Sequence, residues 1–182
     1  MFGSGDSSRL KILHPLEVIM SKRIRKFGSL SAFLLALAFI LVAIPAAAQG
    51  GSRLAVTAPA GWSPHPSNAS LMMKGTGTYT LKPETMPPEA NTPDSFTAFA
   101  QKNFAKSFAN CKLGPVTNLK VSGNEARRFE FSGEISGMKM NYIVLYVFQG
   151  GRAHSLVCGS LADGFAALKP DYEKVIASAR ME

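Results

Sequence analysis

Cysteine, tryptophan and histidine are scarce in this chain: two, one and three among 182 residues. Two cysteines are too few for a disulfide-dense miniature scaffold or a four-thiolate zinc site. Cys111 and Cys158 lie far apart in sequence, so a Cys-x-x-Cys redox pair is excluded as well. Gly75-Thr76-Gly77 has none of the companions of a phosphate-cradling loop and is read as turn glycine. Internal repeats are lacking. No apolar run reaches the roughly 20 residues of a membrane span; residues 30–44, broken only by Ser31, come nearest. Acidic residues are outnumbered 12 to 20, for a net charge of +8. Half of that surplus is local, because residues 1–48 hold six Lys/Arg and two acids and leave +4 for the remainder. That remainder has no basic stripe interleaved with aromatics, which argues against a nucleic-acid partner.

What is present begins with an export signal. Lys22, Arg23, Arg25 and Lys26 make a positive segment, the apolar run follows, Pro45 breaks it, and Ala46-Ala47-Ala48 supplies the small residues a signal peptidase needs. Cleavage is expected between Ala48 and Gln49, with retention as an uncleaved anchor as the alternative. Ile24 separates Arg23 from Arg25, so there is no twin-arginine signal, and no cysteine follows the run to carry a lipid. Met20 directly precedes the positive segment. Residues 1–19 are therefore read as a misassigned start extension, 20–48 as the signal peptide and 49–182 as one domain. The delivered protein would be periplasmic or secreted, with no stable membrane span after cleavage. In an oxidising compartment Cys111 and Cys158 read as one disulfide. Closing a loop of about 48 residues would contribute roughly 4 kcal/mol in chain-entropy terms. The alternative is two buried thiols acting as small apolar groups.

Past the signal, residues 54–58 are apolar and lead into Pro59-Ala60-Gly61-Trp62; residues 63–68 have loop composition. Residues 69–74 and 76–81 read as strands around Gly75, and the proline-rich stretch 82–92 as a connecting loop. A helix then starts with Thr92 as cap, Pro93 at the first helical position and Asp94 at the positive dipole end. Its apolar stripe is Phe96, Phe99, Ala100, Phe104 and Phe108, interrupted by Asn103 and Ser107, and it is expected to end near Asn110. Strands are expected at 116–121, 126–132 and 138–149. In the last of these Met138, Met140, Tyr142, Val144, Tyr146 and Phe148 alternate with Ile143, Leu145 and Val147, so both faces are apolar and both must be covered. Gly150-Gly151 makes a hairpin to a strand at 153–160. A closing helix at 163–179 carries Pro170, expected to kink or restart it. The fold class is α+β: a mostly antiparallel sheet with helices packed on its faces, an α/β/α-type sandwich.

The Pro59-Ala60-Gly61-Trp62 lead-in, the turn and strand at Gly123-Asn124-Glu125-Ala126-Arg127, the long strand through Tyr146 and the helix ending at Ala177-Ser178-Ala179-Arg180 together resemble the PsbP-like superfamily. That superfamily spans PsbP proteins, Ran-binding release factors and DcrB-like small periplasmic proteins. The resemblance covers nearly all of residues 49–182. It implies an α+β domain with a non-catalytic accessory or binding role and supplies no catalytic residues.

The search for chemistry leaves little. His154 and Ser155 are adjacent on a strand and point to opposite faces, so they form no dyad. His65 lies between prolines with no ligand cluster around it. No catalytic, metal or cofactor residues are assigned. Lys102, Lys106, Arg127 and Arg128 are the candidate contacts for an acidic partner. The function expected is that of an exported, non-catalytic accessory or binding protein docking onto an envelope protein or membrane complex. Its rivals are a small secreted hydrolase using His154, and a small-ligand carrier with Met138, Met140 and Tyr142 lining a pocket.

Overall fold

The computed structural model describes residues 52–182. The expected signal peptide, its cleavage point at Ala48 and Gln49, and the start extension lie outside them. The described chain runs β1 (Leu54–Ala55), β2 (Ser63–His65), β3 (Asn68–Lys74), β4 (Gly77–Thr85), a 3-10 turn (Pro88–Ala90), α1 (Pro93–Ser107), β5 (Ala109–Leu113), β6 (Thr117–Val121), β7 (Asn124–Ile135), β8 (Met138–Gln149), β9 (Arg152–Leu161), α2 (Ala162–Ala177) and β10 (Arg180–Met181). Eight strands make one sheet in the order β2-β3-β4-β9-β8-β7-β5, with β6 also on β7. β1 and β10 form a separate pair. Every one of these pairings is antiparallel.

The alternation along β8 decides the layering. Residues 142–148 are all buried, because α1 covers one face and α2 the other. On the α1 side Phe96 meets Tyr146 edge-on at 5.1 Å, and Phe104 stacks on Phe131 at 4.6 Å. On the α2 side Ile143, Leu145, Val147, Leu156 and Cys158 pack with Phe165, Tyr172 and Val175. The fold is the α+β arrangement expected from the sequence.

Several local features differ from expectation, each for a physical reason. β2 occupies a stretch of loop composition, and its Pro64 is tolerated because β2 is the sheet edge, where a missing donor N–H costs little. β4 continues through Pro83 to Thr85, since its pairing with β3 stops at Thr80 and leaves that flank of β4 open. α1 stops at Ser107, and a further strand, β5, follows at once. Its capping is tighter than the sequence alone indicated: Thr92 accepts from the Ser95 N–H, and the Ser95 hydroxyl accepts from the Thr92 N–H. α2 runs uninterrupted through Pro170.

The expected Cys111–Cys158 disulfide does not form; both cysteines are free. Cys158 is buried on β9, whereas Cys111 sits on β5, and β8 and β7 lie between those strands. Three inter-strand steps of about 4.8 Å put the two roughly 14 Å apart, far beyond the ~5.5 Å Cα separation that a disulfide needs.

Candidate functional site

Arg127 and Arg128 are neighbours on β7 and leave opposite faces of the sheet. Arg127 faces α1: its Nε donates to Asp94 Oδ1 at 2.8 Å and its Nη2 to Glu125 Oε2 at 3.3 Å, with the side chain only 9% exposed. Arg128 faces α2: its Nη2 donates to Glu173 Oε1 at 2.6 Å and to Glu130 Oε1 at 3.1 Å. Lys169 closes that group with 3.0 Å bonds to both oxygens of Glu130. The arginine pair thus ties one strand to both helices through ion pairs, although the buried Arg128 Nε finds no hydrogen-bond partner.

A second internal clasp holds the Pro59-Ala60-Gly61-Trp62 turn. Trp62 Nε1 donates to Asp171 Oδ2 at 3.2 Å, and Lys74 Nζ donates to the same oxygen at 2.7 Å. The Lys74 bond first, and the Trp62 bond second, hold the Asp171 carboxyl below its ordinary range. The indole lies 5.1 Å from Tyr79 and 5.6 Å from Tyr172, so the motif anchors β3 and β4 to α2.

His154 and Ser155 behave as strand alternation requires. The Ser155 hydroxyl donates to Lys82 O and to Glu84 Oε1, both at 3.1 Å. His154 pairs in register with Pro83 and Val147, and it is buried. Burial, with a smaller effect from Arg152, lowers its pKa and keeps the imidazole neutral. Burial likewise pushes the Cys158 thiol far up, so it is no nucleophile. Of Met138, Met140 and Tyr142, named above as pocket lining, Met138 is half-buried and the other two are packed core: Tyr142 stacks on Phe131 at 4.6 Å and meets Phe108 at 5.4 Å. Among the described residues no group of three or more His, Cys, Asp or Glu is placed to hold a metal ion. No described helix is long and apolar enough to cross a membrane.

Lys102 and Lys106 differ from the arginines: both are exposed on α1. Phe99, 37% exposed, shares their side of the helix rather than the buried stripe. Thr97 takes its place among the buried residues of α1, and its hydroxyl donates to Pro93 O at 2.7 Å.

The sequence did not single out a shallow cleft of about 350 Å³ at the β5 edge, between β7, β8 and the first turn of α2. Lys112, Glu130, Ser132, Asn141 and Phe165 are among its lining; Phe131 and Tyr142 border it only through their strands, since their rings pack toward α1 on the opposite face. Leu113 is 40% exposed, and Val116, three residues on, 39%. Between them the Gly114 N–H donates to Glu130 O at 2.8 Å, and a Cβ there would lie 3.0 Å from that oxygen. A side chain at position 114 would force the edge outward, which is the local reason for glycine. The sequence signal was Leu113-Gly114-Pro115-Val116, two apolar residues bracketing a pair that cannot prolong a strand.

No protein-family model matches the sequence, and neither does any curated protein. Solved structures do resemble it in fold. LpqN, involved in cell envelope biogenesis of Mycobacterium tuberculosis, aligns with TM-score 0.57 at 12% identity over 74% of this chain and 86% of its own. Cyanobacterial PsbP from Synechocystis aligns with TM-score 0.51 at 9% identity over 79% and 99%. The Ran-binding protein Mog1p of Saccharomyces cerevisiae aligns with TM-score 0.50 at 4% identity over 70% and 89%. With its antiparallel sheet and its helix on each face, the chain has the fold of these solved structures, the cyanobacterial PsbP among them.

Proposed function

We propose that the chain is an exported, non-catalytic accessory protein that works by docking onto another protein of the cell envelope. The observation that carries this reading is the uneven use of its cations. Arg127 and Arg128 are taken up by Asp94, Glu125, Glu130 and Glu173, whereas Lys102 and Lys106 stand on the outer face of α1 with no ion-pair partner among the described residues. Two unpaired lysines one helical turn apart, beside an exposed Phe99, make a surface complementary to an acidic partner with some apolar content. The export signal read from the sequence supports the compartment. The description of LpqN as acting in cell envelope biogenesis, and of Mog1p as binding another protein, is in keeping with it.

The test is affinity purification of the tagged protein from native envelope extract, comparing wild type with the Lys102→Glu/Lys106→Glu double variant. The expected result is one reproducible partner whose recovery falls at least about tenfold in the double variant. The reading fails if no partner is recovered, or if both forms recover it equally. It also fails if purified protein has esterase or peptidase activity that His154→Ala abolishes.

A further inference from the structure

Among the described residues, Gln149 Oε1 is the buried side-chain oxygen with no hydrogen-bond partner. Buried oxygens of this kind are rare in native folds, and each one calls for a donor. Gln149 ends β8 and lies directly opposite Arg152 on β9, while His154 lies opposite the next same-face residue of β8, Val147. Gln149, Arg152 and His154 therefore share one face of the sheet, the α2 side, where Val147 joins the core. Diagonal neighbours such as Gln149 and His154 are about 7–8 Å apart, within reach of a long side chain or of one small bound group. The exposed Arg152 has no ion pair and the buried His154 no hydrogen bond among the described residues. β8 and β9 carry no acid, and the one acid of β4, Glu84, faces the other way and is bonded by Ser155 and Lys82. Three polar groups without partners thus meet at one end of the sheet, with a cation at the solvent side and an imidazole as the floor.

We propose that Gln149, Arg152 and His154 bind a small carboxylate with a hydrogen-bond donor on the neighbouring carbon, as in a hydroxy acid or the C-terminus of a peptide. The Arg152 guanidinium meets the carboxylate, for which its planar fork is suited. His154 is neutral, so its ring carries one N–H, which donates to the same carboxylate. The ligand's O–H or N–H donates to Gln149 Oε1 and satisfies it. A carboxylate with no such donor would leave that oxygen unpaired, and this sets the specificity. The site is separate from the outer face of α1 and does not depend on docking there.

The test follows the His154 ring proton by NMR in the purified natural protein at neutral pH, with the resonance assigned from its loss in His154→Asn. Lactate and N-acetylalanine are the probes for the hydroxy-acid and peptide-terminus sources, and acetate is the probe without a donor. At least one of the first two should shift the resonance saturably, and should bind at least about tenfold more tightly than acetate. Arg152→Gln and Gln149→Leu should each weaken that Kd at least about tenfold, while Lys102→Glu/Lys106→Glu leaves it within about twofold. Three results would overturn the proposal: no saturable shift with lactate or N-acetylalanine, acetate bound equally well, or a Kd that either change at the site leaves unaltered. If Gln149→Leu fails to fold by circular dichroism, Arg152→Gln and the acetate comparison decide. Loss of this site would leave docking through α1 standing, since the two share no residue.

Discussion

Gly159 on β9 lies directly opposite Tyr142 on β8. An alanine Cβ there would meet Cδ1 and Cε1 of Tyr142 well inside van der Waals contact. The ring has little room to yield, since Phe131 stacks on it at 4.6 Å and 14° and Phe108 meets it at 5.4 Å. Gly159→Ala therefore overpacks the α1 face. Overpacking of this kind typically costs about 1–3 kcal/mol. For a domain of this size that lowers Tm by about 4–12 °C. Removing the ring should reverse the sign. In a Tyr142→Ala background, Gly159→Ala should stabilise by up to about 1 kcal/mol, because glycine inside a strand carries excess backbone freedom. The assay is chemical denaturation of the four proteins of the cycle, followed by Trp62 fluorescence. A coupling of at least about 1.5 kcal/mol is expected for residues in such contact. The same cost in both backgrounds would refute the claim that Tyr142 lies across Gly159.

The remaining outcomes are simpler. His154 is held neutral by burial, with its folded pKa below that of the unfolded chain, so the unfolded state takes up the proton first as pH falls. Stability should be full above about pH 6.5 and decline below it. Denaturation midpoints across pH 5–8 should slope less in His154→Leu than in wild type, and parallel slopes would contradict the assignment. Native alkylation without reductant should label Cys111 while Cys158 stays protected. Both should label once the chain is unfolded; failure of both to label then, in the absence of reductant, would restore the disulfide. Arg127→Ala should cost about 1–2 kcal/mol through the loss of a buried, ion-paired side chain. Lys106→Ala should change stability by less than about 0.5 kcal/mol. Equal effects would erase the distinction between clasp and free surface.

The layers of the fold were legible because β8 writes both of its faces in apolar residues, and no sheet with one wet side could do that. The start of α1 was legible too, since Thr92, Pro93 and Asp94 act within one turn. Phe99 was misplaced for a geometric reason. At about 100° per residue, Phe96, Thr97, Ala100, Phe104 and Phe108 span one arc, and Phe99 falls roughly 130° from its centre despite its three-residue spacing. β5 escaped notice because its residues are mostly exposed, so only pairing with β7 makes them a strand. The expected cysteine bridge failed since sequence separation says nothing of how many strands intervene. The two arginines could not be told from the two lysines in sequence alone. The acids that engage the arginines, Asp94 and Glu173, arrive from helices 33 and 45 residues away.

Docking through the outer face of α1 is tested most directly by site-specific photo-crosslinking in living cells. A photoreactive residue at position 106 should give one covalent adduct of defined mass, while the same residue at exposed position 89 gives none. Adducts at neither position, or equally at both, would contradict a partner held by that face.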